Sequence, residues 1–539
     1  MFRTFPRVPV TAYFLLLFIA FAPLRAADDP SAKEDMRASL RKFTAFYNVV
    51  EQNFADKVNA DKAIYKGAIP SMLRTLDPHS NFFDPSAYAL LREEQEGRYF
   101  GVGMLVGAPE GKVIVMYPFE NSPAYKAGLR PGDAILAVND KSTEGLDIPA
   151  VSSMLKGPQG TPVQIEIGRP GEPKPLYFTV TRGAVPRESV TYAFWYRPGI
   201  AYIKIESFNE NTSHEFDQAL NKLGESSIEG LILDLRDNGG GILQEAVAVS
   251  EHFLKKGQMI VSHHGRASAD TKFIAKRGEK GREYPIVVLV NRGTASAAEI
   301  LTGALQDHDR AWVLGEQTFG KGLVQAPYPL SENTALLLTI ARYYTPSGRL
   351  IQRDYSHRSF YEYYSRLQGH NNAKDMKKTD SGRTVYGGDG ITPDERFAEA
   401  QVGPYGSVVA ANLGTFFYAV DYFGTHSTKL ERNWKPDDAM MTSFRSFLEN
   451  RGITATDAEF AADKEWLRER LREELFVTAF SKERAEQVQL ENDPELARAI
   501  NSMASSRALL QRPRPTLASK APSKPNRLAR LFHQEQGQE

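Results

Sequence analysis

The sequence predicts a multidomain α+β protein, and three features carry that prediction. Two β-branched apolar runs, Leu231-Ile232-Leu233-Asp234-Leu235 and Ile286-Val287-Val288-Leu289-Val290, each end in a polar or glycine-rich turn. Each is then followed by apolar residues at helical spacing, as in an α/β unit with a buried strand. Residues 98–185 read instead as short strands punctuated by glycine. Residues 31–95 and 405–510 read as helical, with Phe43, Phe46, Tyr47 and Val50 in one stripe and Leu467, Leu471 and Leu475 in another.

The chain has 539 residues, enough for three or four domains, with 66 basic and 66 acidic residues and a formal net charge of zero. That balance gives no case for nucleic acid or for an acidic membrane partner. The absence of cysteine excludes disulfides, thiolate metal sites and a lipidated N-terminal cysteine.

From the N-terminus, Arg3 and Arg7 precede an apolar run from Val10 to Ala22, and then Pro23-Leu24-Arg25-Ala26-Ala27-Asp28. This is the order of a secretory signal peptide over 1–26, cut after Ala26. The run is shorter than the ~20 apolar residues of a spanning helix. Secretion across an inner membrane would make the mature protein periplasmic in a Gram-negative source; an uncleaved segment would leave it membrane-associated. The helical region 28–95 is broken by Leu76-Asp77-Pro78-His79-Ser80, where His79 reads as a turn residue that hydrogen-bonds locally.

In 96–186, Phe100-Gly101-Val102-Gly103-Met104 is followed about thirty residues on by Ala127-Gly128-Leu129-Arg130-Pro131-Gly132-Asp133. The pair of motifs resembles a PDZ domain. The resemblance makes 100–104 a carboxylate-binding loop in which glycine-freed N–H groups form a nest, beside a strand edge that pairs with a peptide. The helix from Ile148 to Leu155 then lines the other wall of the groove with apolar residues.

A core domain spans 187–400. Ile200-Ala201-Tyr202-Ile203-Lys204-Ile205 alternates as a strand, and the run at 231–235 reaches Asp237-Asn238-Gly239-Gly240-Gly241 before a helix with Ala246, Val249, Phe253 and Leu254. After the run at 286–290, Ser296 stands where a helix begins, because Ile300, Leu301, Ala304, Leu305 and His308 recur at helical spacing. A serine there is either an N-cap or a nucleophile beside helix N–H groups. The surrounding Thr294-Ala295-Ser296-Ala297-Ala298 lacks the G-x-S-x-G signature of α/β-hydrolases. His308 lies about three turns along the same helix, roughly 18 Å away, too far to share a proton. Lys321 is the better base: glycines on both sides allow close backbone packing, and desolvation lowers a lysine pKa towards neutrality. The run Gly315–Gly322 almost spells a P-loop, but Gly322 replaces the hydroxyl that would hold magnesium.

Three pieces in order, Thr294-Ala295-Ser296-Ala297-Ala298-Glu299-Ile300, Phe319-Gly320-Lys321-Gly322 and Gln325, resemble the C-terminal processing (tail-specific) family of serine proteases. Leu76–Ser80, Ala341–Arg349 and Gly387–Asp394 are similar to further motifs of that family. The resemblance implies a crotonase/ClpP-like α/β serine protease core with an inserted PDZ-like β domain and helical N- and C-terminal regions. It also implies a Ser296 nucleophile, a Lys321 base oriented by Gln325, and an oxyanion hole from Gly240, with Gly241 as the alternative, and Ala297. Four residues of flat strand span ~13 Å, so Lys321 and Gln325 meet one serine only if Gly322 bends the chain. The implied activity is a serine endopeptidase for apolar or unfolded C-terminal tails held by the PDZ domain, needing no metal or cofactor. Its partners are then proteins or peptides with free C-termini, with room for an adaptor or for self-association. A catalytically silent periplasmic peptide-binding scaffold is the alternative.

Beyond the core, Tyr355 to Ser381 reads as an exposed polar insertion. Residues 401–511 read as an accessory or oligomerisation domain, and 512–539 as a basic, proline-rich disordered tail.

Overall fold

The computed structural model describes residues 30–512 apart from 267, 279–281, 357–359, 366–371 and 399–401. The expected signal peptide and all but the first residue of the expected basic tail lie outside the described residues. The chain forms two compact units, 1–72 and 73–539. In the first, Pro30–Asn53 is a 24-residue helix whose Phe43 and Phe46 are exposed, with Tyr47 and Val50 half-buried. Among the described residues no helix is long and apolar enough to cross a membrane.

The second unit is built on a six-stranded sheet in the order Val190–Arg197, Ile200–Ile205, Gly230–Asp234, Ile286–Val290, Trp312–Gly315 and Glu395–Arg396. The first pair is antiparallel and the remaining pairs are parallel. Parallel strands need both faces covered, and alternation along Ile286–Val290 shows how this is met. Ile286, Val288 and Val290 pack under helices Thr212–Leu223, Leu243–Glu251 and Ala297–Asp307. Val287 and Leu289 point the other way, onto Leu496, Ala499 and Met503 of helix Pro494–Gln511. Each such fully buried side chain contributes about 1.5–3 kcal/mol.

The region 401–511 therefore divides. Helices Pro404–Ala411, Gly414–Thr425, Asp438–Asn450 and Asp457–Ala479 share a core of their own that contains Leu467, Leu471 and Leu475. The last helix belongs to the six-stranded sheet, where Ser506 Oγ accepts the Ile286 N–H and donates to the Ile286 carbonyl.

A second sheet carries the lysine side of the site. Leu323–Pro329 and Asn81–Phe83 both pair antiparallel with Ala335–Tyr344, which pairs in turn with Met259–His264. The short strand at 81–83 falls within the region expected to be helical; its polar start and two phenylalanines are too short a pattern to declare a strand from sequence.

The glycine-punctuated stretch forms a sheet in the order Met104–Gly107, Ile114–Pro118, Ala134–Val138, Pro162–Gly168 and Leu176–Thr181, with Met104–Gly107 at its edge. Strands Arg98–Gly101 and Gly183–Pro186 pair antiparallel, so the chain enters and leaves this module side by side.

Candidate active site

The strand Ile286–Val290 delivers the chain to Ser296 through a turn closed by Thr294, whose hydroxyl donates to the Leu235 carbonyl. Helix Ala297–Asp307 begins at once, buried along its whole length. Ordinary N-caps in this chain are extended: Asp84, Asp147 and Thr456 have φ between −65° and −81° and ψ between 161° and 169°. Ser296 has φ 55° and ψ −116°. A non-glycine residue in that region costs of order 1–3 kcal/mol, and such strain collects at functional sites. The tight turn of a nucleophile is thus present without its usual glycines. Ser296 and Glu299 have the sequence relation of a capping box, but only the Glu299 half closes at hydrogen-bond geometry, carboxylate to Ser296 N–H at 2.9 Å.

Glu299 is the hub of the site. Its Oε2 accepts the N–H groups of Ser296 at 2.9 Å and Lys321 at 2.8 Å, so those two nitrogens lie within about 6 Å of each other. Its Oε1 accepts the Thr318 hydroxyl at 2.5 Å and the Gly320 N–H at 2.8 Å. Burial pushes this carboxyl up to about 7, although four donors and no acceptor suit the carboxylate. Thr318 Oγ1 in turn accepts the Ile391 N–H, so the Gly387–Asp394 motif buttresses the hub from behind. The sequence carried the signal for Glu299, the S-x-x-E spacing from Ser296, but not that its carboxylate would reach the lysine loop.

Lys321 is largely buried, and desolvation lowers its pKa from the ordinary lysine value, against the opposing charges of Glu299 and Asp77. Its Nζ donates to Gln325 Oε1 at 2.7 Å. Two features allow this contact over four residues. Lys321 precedes strand Leu323–Pro329, and the pairing with Ala335–Tyr344 shifts register between Val324 and Gln325. A side chain at Gly322 would press within 2.8 Å of the Gln352 nitrogen, which is why that bend is a glycine.

Gly240 faces the serine directly. Its φ is 97°, and a methyl on it would lie 2.7 Å from Ser296 Cβ and 2.9 Å from the Ala297 nitrogen. Its N–H donates to Asn238 Oδ1 at 2.8 Å. Asn238 also locks the two loops together, its carbonyl accepting the Ala295 N–H. Buried Tyr343 places its hydroxyl against the carbonyls of both Ser296 and Lys321, within reach of either.

His308 lies at the far end of the serine helix, as the spacing requires. It bonds Asp380 Oδ2 and the Met259 carbonyl, both acceptors. Burial lowers its pKa, but the bond to Asp380 and that carboxylate's charge more than offset this and leave it raised.

His79 and the insertion behave differently from their sequence reading. His79 does bond locally, its N–H donating to Asp77 Oδ1. Yet its ring meets Tyr363 Oη at 2.8 Å and its carbonyl accepts Gln325 Nε2 at 2.6 Å. Tyr363, within the segment expected to be exposed, is 1% exposed. Polar composition concealed it because Tyr363 turns inward, against Phe319 and His79, while Tyr364 stays exposed.

Phe100, Gly101, Val102, Gly103 and Met104, expected from sequence to bind peptide, run from one strand into the next. Gly103 (φ 78°) is wedged against Ser122, whose Oγ donates to the Gly103 carbonyl at 2.7 Å. The following strand, from Met104, presents a free edge. Helix Ile148–Leu155 buries Val151 and Leu155 in the module's own core.

Residues 199–356 match Peptidase family S41 and residues 114–169 match a PDZ domain. A carboxy-terminal-processing protease of Bartonella bacilliformis is 40% identical over 297 residues, covering 54% of this chain and 68% of that protein. The carboxy-terminal processing protease CtpB of Bacillus subtilis is 34% identical over 336 residues, covering 61% and 70%. The chain belongs to peptidase family S41. A carboxyl-terminal-processing protease of Synechocystis is 39% identical over 292 residues, covering 53% of this S41 peptidase and 68% of the relative. The protein is a serine-type peptidase with a PDZ domain ahead of its catalytic sheet, as the sequence motifs imply.

Proposed function

We propose that this S41 peptidase is a secreted Ser–Lys endopeptidase of the carboxy-terminal processing type. In this reading it cleaves proteins whose apolar or unfolded C-terminal tails are captured by the PDZ domain. The observation that carries it is the shared carboxylate oxygen of Glu299, which sets the strained Ser296 beside a desolvated Lys321. Ser296 Oγ attacks the scissile carbonyl while Lys321 Nζ takes its proton. The oxyanion is held by the N–H of Ala297 and of Gly240, and Lys321 returns the proton to the leaving amine. Water then hydrolyses the acyl-enzyme. Because Asn238 holds the Gly240 N–H, the 240–241 segment must turn towards the substrate for the hole to form; catalytic hydrogen bonds commonly tighten only in the complex. The free edge at Met104–Gly107 offers main-chain pairing to the tail, and the loop 100–104 receives its carboxylate. The Arg3-Arg7 and Val10–Ala22 pattern supports export, to the periplasm in a Gram-negative cell.

Incubation with an unfolded protein, followed by mass spectrometry of the fragments, tests the reading. The same protein with its C-terminus amidated should be cut more slowly, because the loop reads a charged carboxylate. Equal cutting of both forms would remove tail capture, and no cutting of either would favour the silent scaffold.

A further inference from the structure

The Gln325 amide has an acceptor end and a donor end, and only the acceptor end accepts a hydrogen from the lysine. What fixes that choice is the far side of the amide. There Nε2 donates to the His79 carbonyl at 2.6 Å, and a carbonyl can only accept. Flipping the amide would set two acceptors against each other and leave a buried polar group unpaired.

The His79 carbonyl is itself tightly held. Asp77 Oδ1 accepts the N–H groups of His79 and Ser80, and Asp77 Oδ2 accepts the Ser80 hydroxyl. Ser80 Oγ then accepts the N–H of Thr339, the residue paired with Gln325 across the sheet. The ring of His79 is fixed from the other side. Gln352 Oε1 accepts the Gly322 N–H, and its Nε2 donates to Tyr363 Oη at 3.1 Å. The Tyr363 proton is therefore free to go to His79 Nε2, which leaves His79 neutral with its hydrogen on Nδ1, facing the Tyr364 hydroxyl. Burial and the charge of Lys321 lower the His79 pKa to about 4, consistent with a neutral ring. The rings of Phe319, His79 and Tyr363 pack edge to face against one another, Phe319 next to Gly320 in the chain.

We propose that the Asp77–Ser80 turn and Tyr363 are a positioning frame for catalysis: they hold Gln325 with its oxygen towards Lys321 and so keep the lysine aimed at Ser296. The frame rests on the Ser–Lys reading above. The frame acts through Gln325 on Lys321, so its loss acts on turnover rather than on substrate affinity.

Tyr363→Phe removes one oxygen and keeps the ring, and His79→Ala removes the ring and keeps the carbonyl. In the full-length enzyme acting on an unfolded protein, each is expected to lower kcat by about 10- to 100-fold with KM changed less than about twofold, as for a catalytic group misplaced by about 1 Å. His79→Gln, whose amide reaches the Tyr363 hydroxyl, should recover part of the loss. If His79→Ala lowers the melting temperature, Tyr363→Phe decides. Wild-type kcat in a folded Tyr363→Phe enzyme, or a loss confined to KM, overturns the frame. Turnover retained in Ser296→Ala would instead overturn the Ser–Lys reading on which it rests.

Discussion

Ser122 and Ser296 each stand at the N-cap of a helix, and each is pressed by a glycine of positive φ. Ser122 in the PDZ module has φ −67° and ψ 164°, its Oγ accepts the Tyr125 N–H at 3.2 Å, and Gly103 lies against its Cβ. Ser296 has φ 55° and ψ −116°, hands its main-chain N–H to Glu299, and has Gly240 against its Cβ. Ser122 spends its hydroxyl on the helix and on the Gly103 carbonyl. The Ser296 hydroxyl makes no cap hydrogen bond, its backbone being rotated out of the extended capping conformation, and the Glu299 carboxylate takes the Ser296 N–H. Residue type and helix position are alike in the two; the dihedral pair and the neighbouring acid set the proposed nucleophile Ser296 apart from the structural Ser122.

The comparison breaks most sharply at the reactive side. Ser296→Ala and Lys321→Ala should each lower kcat by at least about 1000-fold with the melting temperature preserved, read by turnover and calorimetry. Near-normal turnover of Lys321→Ala at neutral pH would remove the lysine from its role. In the wild type, kcat/KM should rise with pH as Lys321 loses its proton, if the neutral amine is the base as proposed. Burial lowers its pKa, so that limb should fall below the ordinary lysine value of 10.5. Any variant that admits water to Lys321 should move the limb to higher pH.

Glu299→Gln should follow, with turnover reduced by about 100-fold and stability by about 1–3 kcal/mol. One end of the amide would face main-chain donors with donors of its own. Full activity in this variant would mean that the shared oxygen does not set the two loops.

The glycines give the next test. Gly240→Ala should slow cleavage of every substrate, whereas Gly103→Ala should raise KM only for substrates with a free C-terminal carboxylate. Identical profiles for the two would erase the distinction between a catalytic and a binding loop. Smallest of all, Ser122→Ala should cost about 1 kcal/mol as a lost cap, measured in denaturant, with hydrolysis of a tailless substrate unchanged.

Much of this arrangement is legible in the sequence. The run at 286–290 is continuous and apolar, and that at 231–235 is so apart from Asp234, because both faces of a parallel sheet are covered; Ser296, Lys321 and Gln325 stand in readable motifs. The distant partners are not legible. His79 meets Tyr363 across 284 positions, and nothing in Leu76–Ser80 says that its turn ends on a glutamine amide. Helix Pro494–Gln511 reads like its helical neighbours, since spacing reveals an apolar face but not which sheet receives it. Glu299 fell between these cases: its local bond to Ser296 follows from spacing, its bonds to Gly320 and Lys321 only from the fold.

That last helix also sets a clock on biosynthesis. The strand Ile286–Val290 leaves the ribosome roughly two hundred residues before the helix that covers Val287 and Leu289, an interval of about 10–40 s at ordinary elongation rates. Until then one face of the catalytic sheet has no partner, and the serine turn that hangs from this strand has no finished sheet to hold it. A growing chain thus carries Ser296, Lys321 and Gln325 well before the helix that completes the six-stranded sheet.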